Sequence, residues 1–176
     1  WVLSGGSRAK DGEPLRLDLL VPSEAAHGLR DLRTAAAAVA AALEEVGIGV
    51  TVEAVEAAAY SDELPARNWD LTFFESFGAP YDPSSSTVYY FTAAAGGGYE
   101  LWTTPELDGL VDAAIFATDD QRAAAYQAVY AYLEGEAAFV PLTQYSRLWA
   151  VGPAVSGFEV PVTETDFDLS AVTVSR

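Results

Sequence analysis

The sequence predicts an α/β fold, a mixed and mainly parallel sheet flanked by helices, from three neighbouring patterns. Leu15, Leu17, Leu19 and Val21 alternate with Arg16, Asp18 and Leu20, the period-two signature of a strand with one strongly buried face. Leu32, Ala36, Val39, Ala40, Leu43 and Val46 then recur at three-four spacing, one face of a helix from about Leu29 to Val46. Ile48, Val50, Val52 and Val55 make a second strand from about Ile48 to Val55. A strand, helix and strand within about 40 residues form a βαβ unit, with parallel strands under a covering helix.

The remaining elements follow in order. Trp1 to Pro14 holds Gly5-Gly6 and Lys10-Asp11-Gly12-Glu13-Pro14 and is expected as loop. Gly47 is a C′ stop for the first helix, where a left-handed backbone costs glycine little. An Ala-rich helical segment from Val55 to Leu64 precedes a third strand, Trp69 to Phe74. Phe77-Gly78-Ala79-Pro80-Tyr81-Asp82-Pro83 stops regular structure, and Ser84 to Gly98 is expected as an exposed aromatic loop or short helix. Thr104-Pro105-Glu106 opens a helix with a hydroxyl cap, a first-turn proline and an acid at the positive dipole end. Thr118-Asp119-Asp120-Gln121 fits a capping box for a helix reaching about Glu136, packed through Tyr126, Val129, Tyr130 and Leu133. Phe139 to Thr143 and Leu148 to Val151 are expected as two further strands. The tail 153–176 is turn-rich, anchored by Val160, Val162, Leu169 and Val172. With no repeat and no linker, residues 1–176 are expected to form a single α/β unit.

Composition limits the function. Nine basic against 26 acidic side chains give a net charge of −17. That balance excludes nucleic-acid binding through clustered Lys and Arg, and attachment to anionic lipid through a polybasic patch. A hydrophobic fraction of 51% with 12% aromatics excludes a disordered acidic tail. No apolar run approaches the roughly 20 residues of a membrane span. The chain lacks cysteine, which removes disulfides and thiolate chemistry, and it lacks methionine, with Trp1 in first place, so a piece of a longer polypeptide is expected.

Catalytic constellations are sparse. His27 is the sole histidine, and a solvated side chain accounts for it better than a metal ligand, because metal sites cluster several donors. Asp108 and Asp112 share a helix face, as chance pairs do among 26 acids. The glycine-rich stretches lack phosphate-loop spacing, and a serine triad lacks its elbow. No catalytic residue, metal ligand or cofactor is expected. The junction from Phe73 to Tyr90 is the best candidate site, since α/β sheets bind ligands at strand carboxyl ends. Phe77, Tyr81, Tyr89 and Tyr90 stand there as ligand walls, or else as rings that merely cover the sheet end.

Several blocks carry a resemblance. Asp11-Gly12-Glu13-Pro14-Leu15, Leu43-Glu44-Glu45-Val46-Gly47-Ile48, Trp69-Asp70-Leu71, Leu107-Asp108-Gly109-Leu110-Val111, Gln121-Arg122 through Tyr126-Gln127, and Ala138-Phe139-Val140-Pro141-Leu142 occur in family order. Together with Gly78-Ala79-Pro80-Tyr81-Asp82-Pro83, they resemble the C-terminal lobe of the peptide- and nickel-binding class of ABC-transporter solute-binding proteins (extracellular solute-binding family 5). The resemblance implies one lobe of a two-lobed, class II periplasmic-binding-protein fold that closes on a ligand. It implies Phe77 and Tyr81 as pocket residues by position, and Asp82 as a turn residue. The nickel branch has Trp where Phe77 stands and a histidine further along that loop, where Ala93-Ala94-Ala95 offers none. Dipeptide-binding members place an aspartate where Ala79 stands. The implied partners are a small solute (a nickel or other metal chelate, or an oligopeptide), an ABC permease, and the N-terminal lobe of the same protein. The implied location is extracytoplasmic, in a periplasm or at a cell surface, with a membrane-anchored lipoprotein as the form. Two other classes compete: a small hydrolase working through paired carboxylates, and a protein-interaction module with an aromatic surface.

Overall fold

The computed structural model describes residues 1–23, 32–75, 82–93, 101–144, 148–161 and 167–175. These pack as two compact units, one built from Trp1–Ser76 and Tyr89–Thr103, the other from Phe77–Val88 and Thr104–Arg176.

In the first unit the expected βαβ core is present. Strand β4 (Arg16–Pro22), helix α1 (Arg33–Glu45) and strand β5 (Gly49–Val55) follow one another, then helix α2 (Ala57–Ala66) and the short strand β6 (Leu71–Thr72). The sheet runs β5-β4-β6 and is parallel throughout, with Leu19 opposite both Val52 and Leu71. Period-two alternation sends successive β4 side chains to opposite faces. Leu19 and Val21 meet Ala36 and Val39 of α1 on one side, while Leu20 meets Tyr60 and Leu64 of α2 on the other. The central strand is therefore covered on both faces, and only its ends remain open for function.

The N-terminal stretch corrects the expectation of a loop. Strands β1 (Val2–Ser4), β2 (Ser7–Lys10) and β3 (Glu13–Pro14) form an antiparallel sheet. Its two turns, Gly5-Gly6 and Asp11-Gly12, have positive φ at both positions. That is the two-residue hairpin geometry matching strand twist, so these glycines join strands and do not end them. The hairpin also finishes α1, whose last turn has no basic residue of its own. Arg8 donates its Nε–H to Val46 O (2.7 Å) and its backbone N–H to Gly47 O (2.7 Å), placing a cation on the helix's negative end. Gly47 takes the expected left-handed backbone, φ +84°.

In α2, Pro65 lies in the last turn, Arg67 adopts the left-handed conformation beyond it, and Trp69 donates its indole N–H to Leu64 O (3.3 Å). Trp69 thus caps a helix, and the third strand is shorter than the expected Trp69 to Phe74.

In the second unit, α4 (Pro105–Ile115) and α5 (Asp119–Gly135) pack through Leu107, Val111 and Ala114 against Tyr126, Val129 and Leu133. The Thr104 cap forms as expected, its Oγ1 accepting the Leu107 N–H at 3.1 Å. The capping box at Thr118 does not, because its hydroxyl donates to Asp120 Oδ1 (2.6 Å) and no side-chain cap is made. Tyr130 faces outward, 41% exposed, since its position on α5 falls off the stripe facing α4. Phe139 to Thr143 and Leu148 to Val151 are not strands. Among the described residues only Val155–Ser156 (β7) and Thr173–Val174 (β8) pair in this region, brought close where Gly157 presses on the Ala171 carbonyl and leaves no room for a Cβ. Val160 and Leu169 are exposed instead of anchoring the tail, Val172 is half-buried, and Val162 lies outside the described residues.

Candidate functional site

The carboxyl end of β6 is held by two hydroxyls, one from α2 and one of its own. Tyr60, on the buried face of α2, donates its hydroxyl to Phe73 O (2.9 Å) and lies 3.0 Å from Thr72 Oγ1. Thr72 Oγ1 in turn donates to Leu20 O (3.1 Å). Two hydroxyl protons are thus shared among three contacts that stitch α2, β6 and β4 together. Asp18 and Asp70 close the other end of β6, the Asp18 N–H donating to Asp70 Oδ2 (2.8 Å) and the Asp70 N–H to Asp18 O (3.0 Å).

Beyond this stitched end the chain presents aromatic rings. Of the two forms expected for this region, loop or short helix, the helix is present as α3 (Ser84–Phe91), and its last turn is half-buried or buried because it packs on the strand end. Phe74 stacks tilted on Tyr90 at 4.8 Å between ring centroids and meets Phe91 edge-on at 5.7 Å. Tyr89 meets Tyr90 edge-on at 5.2 Å. Tyr90 donates its hydroxyl to Glu75 O (3.1 Å), and its own carbonyl accepts the Leu101 N–H (2.7 Å). The result is a shelf of Phe74, Tyr89 and Tyr90, all half-buried, packed with a buried Phe91. A shelf so braced loses little side-chain freedom on contact with a ligand.

The structure brings Tyr89 and Tyr90 together at the place the sequence pointed to. Phe77 and Tyr81, the other two expected wall residues, lie outside the described residues, as do Ala79 and His27. Phe74 and Tyr60 were not singled out from sequence. The Phe73-Phe74 pair at the strand's end was a signal for the first, and nothing in the sequence pattern marked the second.

At the start of α3, Asp82 fixes the turn. Its Oδ1 accepts both the backbone N–H (2.9 Å) and the hydroxyl (2.6 Å) of Ser84. The Ser84 hydroxyl first, then its N–H, and last the charge of Arg122 hold the Asp82 carboxyl below its ordinary range. On α5 the Tyr126 hydroxyl and Arg122 Nε are buried without a hydrogen-bond partner among the described residues. Among the described residues no group of three or more His, Cys, Asp or Glu could hold a metal ion, and no helix is long and apolar enough to cross a membrane.

Comparison with known proteins places this geometry in context. No protein-family model matches the chain, and no curated protein matches it. Solved structures do match. An ABC-transporter substrate-binding protein from Sinorhizobium meliloti is 34% identical with a TM-score of 0.77, over 98% of this chain and 34% of that one. NikA from Brucella suis, in complex with Fe(III)-EDTA, is 24% identical with a TM-score of 0.71, over 98% of this chain and 35% of that one. OppA from Haemophilus influenzae, in complex with RPPGFSPFR, is 23% identical with a TM-score of 0.67, over 94% of this chain and 32% of that one. The last two likenesses are of fold. The chain spans about a third of the length of the structures it matches. The fold is that of one lobe of a solute-binding protein.

Proposed function

Because this chain resembles one lobe of the peptide- and nickel-class substrate-binding proteins of ABC transporters over almost its whole length, we propose that it forms one wall of a solute-binding cleft. A second lobe closes on the ligand, and the closed form docks on a membrane permease. The ligand is a short peptide or a metal chelate. The relatives support both, one holding a chelated iron and another a nonapeptide. In this reading the protein works outside the cytoplasm, anchored as a lipoprotein.

The observation that carries the proposal is the braced shelf of Phe74, Tyr89 and Tyr90 at the carboxyl end of a parallel sheet. In the proposal Phe77 and Tyr81 extend that wall. With Ala93-Ala94-Ala95 in place of a histidine, a metal would be recognised through its chelator and not by direct ligation. One lobe supplies only half the contacts, so this chain alone binds weakly, and sub-micromolar affinity by calorimetry would contradict the proposal.

The test uses the polypeptide encoded by the whole reading frame, screened by native mass spectrometry against dipeptides, longer peptides, nickel and nickel or iron chelates. Tyr89→Ala and Tyr90→Ala are each expected to weaken the retained ligand by about tenfold or more, as central aromatic contacts do. Unchanged affinity in both variants would remove the shelf from the site.

A further inference from the structure

The first compact unit leaves one long strand edge bare. In the sheet β5-β4-β6, β5 stands at an edge, and among the described residues it pairs with β4 alone. The two ends of the strand show which of its backbone groups are spent. Gly49 donates its N–H to Leu15 O (3.1 Å), and Val55 O accepts the Ser23 N–H (2.7 Å), so residues 49, 51, 53 and 55 turn their backbone toward β4. Val50, Val52 and Ala54 therefore turn theirs outward, and among the described residues nothing bonds to them. The side chains of Thr51, Val52, Glu53 and Ala54 are exposed as well. Such an edge is a template for another strand. The local sequence adds to the hazard, since Gly49 to Val55 has four β-branched residues in seven and no proline, the composition of segments that pair between chains. Between Glu45 and Glu56 the one charged residue is Glu53. Glutamate is disfavoured in strands, and this one gains nothing inside the fold. It lies opposite Leu20 in the β4–β5 register, is exposed, and among the described residues makes no hydrogen bond or ion pair.

We propose that Glu53 is an edge guard, whose carboxylate keeps β5 from pairing with β5 of a second copy. The geometry of the avoided pair shows why this position is effective. Two copies of β5 related by a twofold axis through Val52 would run antiparallel, with Val52 opposite Val52 and Val50 opposite Ala54. That register satisfies every outward N–H and C=O of the three residues at once. It also sets Glu53 opposite Thr51 of the second copy and diagonal to that copy's Glu53, about 7–8 Å away on the same face. Two like charges so placed oppose the pairing, beyond the general repulsion between chains of net charge −17 each. An uncharged β-branched residue at this position would oppose nothing and would favour the strand. A lysine would guard as well as the glutamate, because like charge between identical copies is what acts. The guard works with or without a ligand, so the proposal stands apart from the reading of the cleft.

The test uses the polypeptide encoded by the whole reading frame, unmutated and as Glu53→Thr, Glu53→Val and Glu53→Lys. Position 53 is exposed, and Thr and Val suit a strand, so these changes preserve the fold. Analytical ultracentrifugation over a broad concentration series reads the dimer dissociation constant. The Thr and Val variants are expected to self-associate about tenfold or more tightly than the unmutated protein, since each dimer carries the change twice, and the Lys variant to match the unmutated protein. Amide exchange locates the contact. In the Thr and Val variants the N–H groups of Val50, Val52 and Ala54 are expected to slow as concentration rises, and in the unmutated protein to exchange fast at every concentration. Unchanged self-association of both the Thr and the Val variant would overturn the proposal. Tightening by Lys equal to that by Thr would overturn it too, by removing charge as the cause. Slow, concentration-independent exchange of these three amides in the unmutated protein would do the same, by showing the edge covered within the polypeptide.

Discussion

Removing one oxygen atom, by Tyr60→Phe, tests how the carboxyl end of β6 is held. The ring stays, so no cavity opens, and the residue is 1% exposed, so water cannot replace the lost contacts. The hydroxyl's bond to Phe73 O at 2.9 Å and its contact with Thr72 Oγ1 at 3.0 Å both disappear. A buried hydrogen bond contributes about 1 kcal/mol net, and a carbonyl that loses its partner costs about 1–3 kcal/mol. The expected loss is therefore about 2 kcal/mol. With a urea slope of about 1–3 kcal/mol per M, that is a midpoint shift of roughly 1 M at unchanged slope. Thr72→Val removes the neighbouring hydroxyl and its bond to Leu20 O, at a similar cost. The two variants share the Tyr60–Thr72 contact, so the double variant should lose about 1 kcal/mol less than the sum. A midpoint moved by less than about 0.2 M, or strict additivity, would refute the idea that these hydroxyls act as one stitch.

Three other outcomes follow from the geometry. Gly47→Ala puts a side chain at φ +84°, where its Cβ would lie 2.6 Å from Leu3 Cδ1 and 3.0 Å from Arg8 N. Leu3 can move but the Arg8 backbone cannot, so a loss of about 2–4 kcal/mol in urea unfolding is expected, and under 1 kcal/mol would count against the close approach. Asp82 has a carboxyl pKa lowered on folding, so its ionised form adds stability that is complete above its ordinary value of 3.8 and vanishes as pH falls through the lowered one. Wild type and Asp82→Asn should differ at pH 7 by a few tenths to about 1 kcal/mol, discounted for exposure, and converge in strong acid; a gap that widens in acid would reverse the sign. Tyr126→Phe removes a buried hydroxyl that has no partner among the described residues, so stability should hold or rise by up to about 1 kcal/mol, and a comparable loss would reveal an acceptor outside them.

Much of the fold was legible because local pattern and tertiary packing agree in it. Leu19 and Val21 alternate in sequence and face α1 in space, Gly47 stops α1, and Thr104 caps α4. Expectations failed where one signal has two uses. Gly5-Gly6 and Asp11-Gly12 can end a strand or join two, and only the pairing partner decides. Thr118-Asp119-Asp120-Gln121 has capping-box spacing, but Asp120 takes the hydroxyl proton first. Phe139 to Thr143 and Leu148 to Val151 have strand periodicity, yet periodicity supplies no neighbour for the backbone. In the site, aromatic density marked Tyr89 and Tyr90. Their supports were silent, since the Glu75 and Phe73 carbonyls have no side-chain signature.

In the proposed cleft, the arrangement of these parts lets so acidic a chain offer an aromatic surface to a ligand. Charge is spread over exposed positions of the helices, such as Glu44, Glu45, Asp119 and Asp120, where water screens it. Both faces of β4 are closed by α1 and α2, which leaves the strand ends as the place where ligand and sheet can meet. At the carboxyl end of β6 the hydrogen-bonding capacity near the shelf is already turned inward, Tyr60 and Thr72 toward the strands and the Tyr90 hydroxyl toward Glu75 O. Beside them the rings of Phe74, Tyr89 and Tyr90 are half-buried. Ring surface favours apolar contact and stacking over charge pairing, and it tolerates ligands of differing polarity. In the proposed cleft, the shelf therefore contributes affinity through area, and discrimination between a peptide and a chelate falls to the groups that face it when the cleft closes.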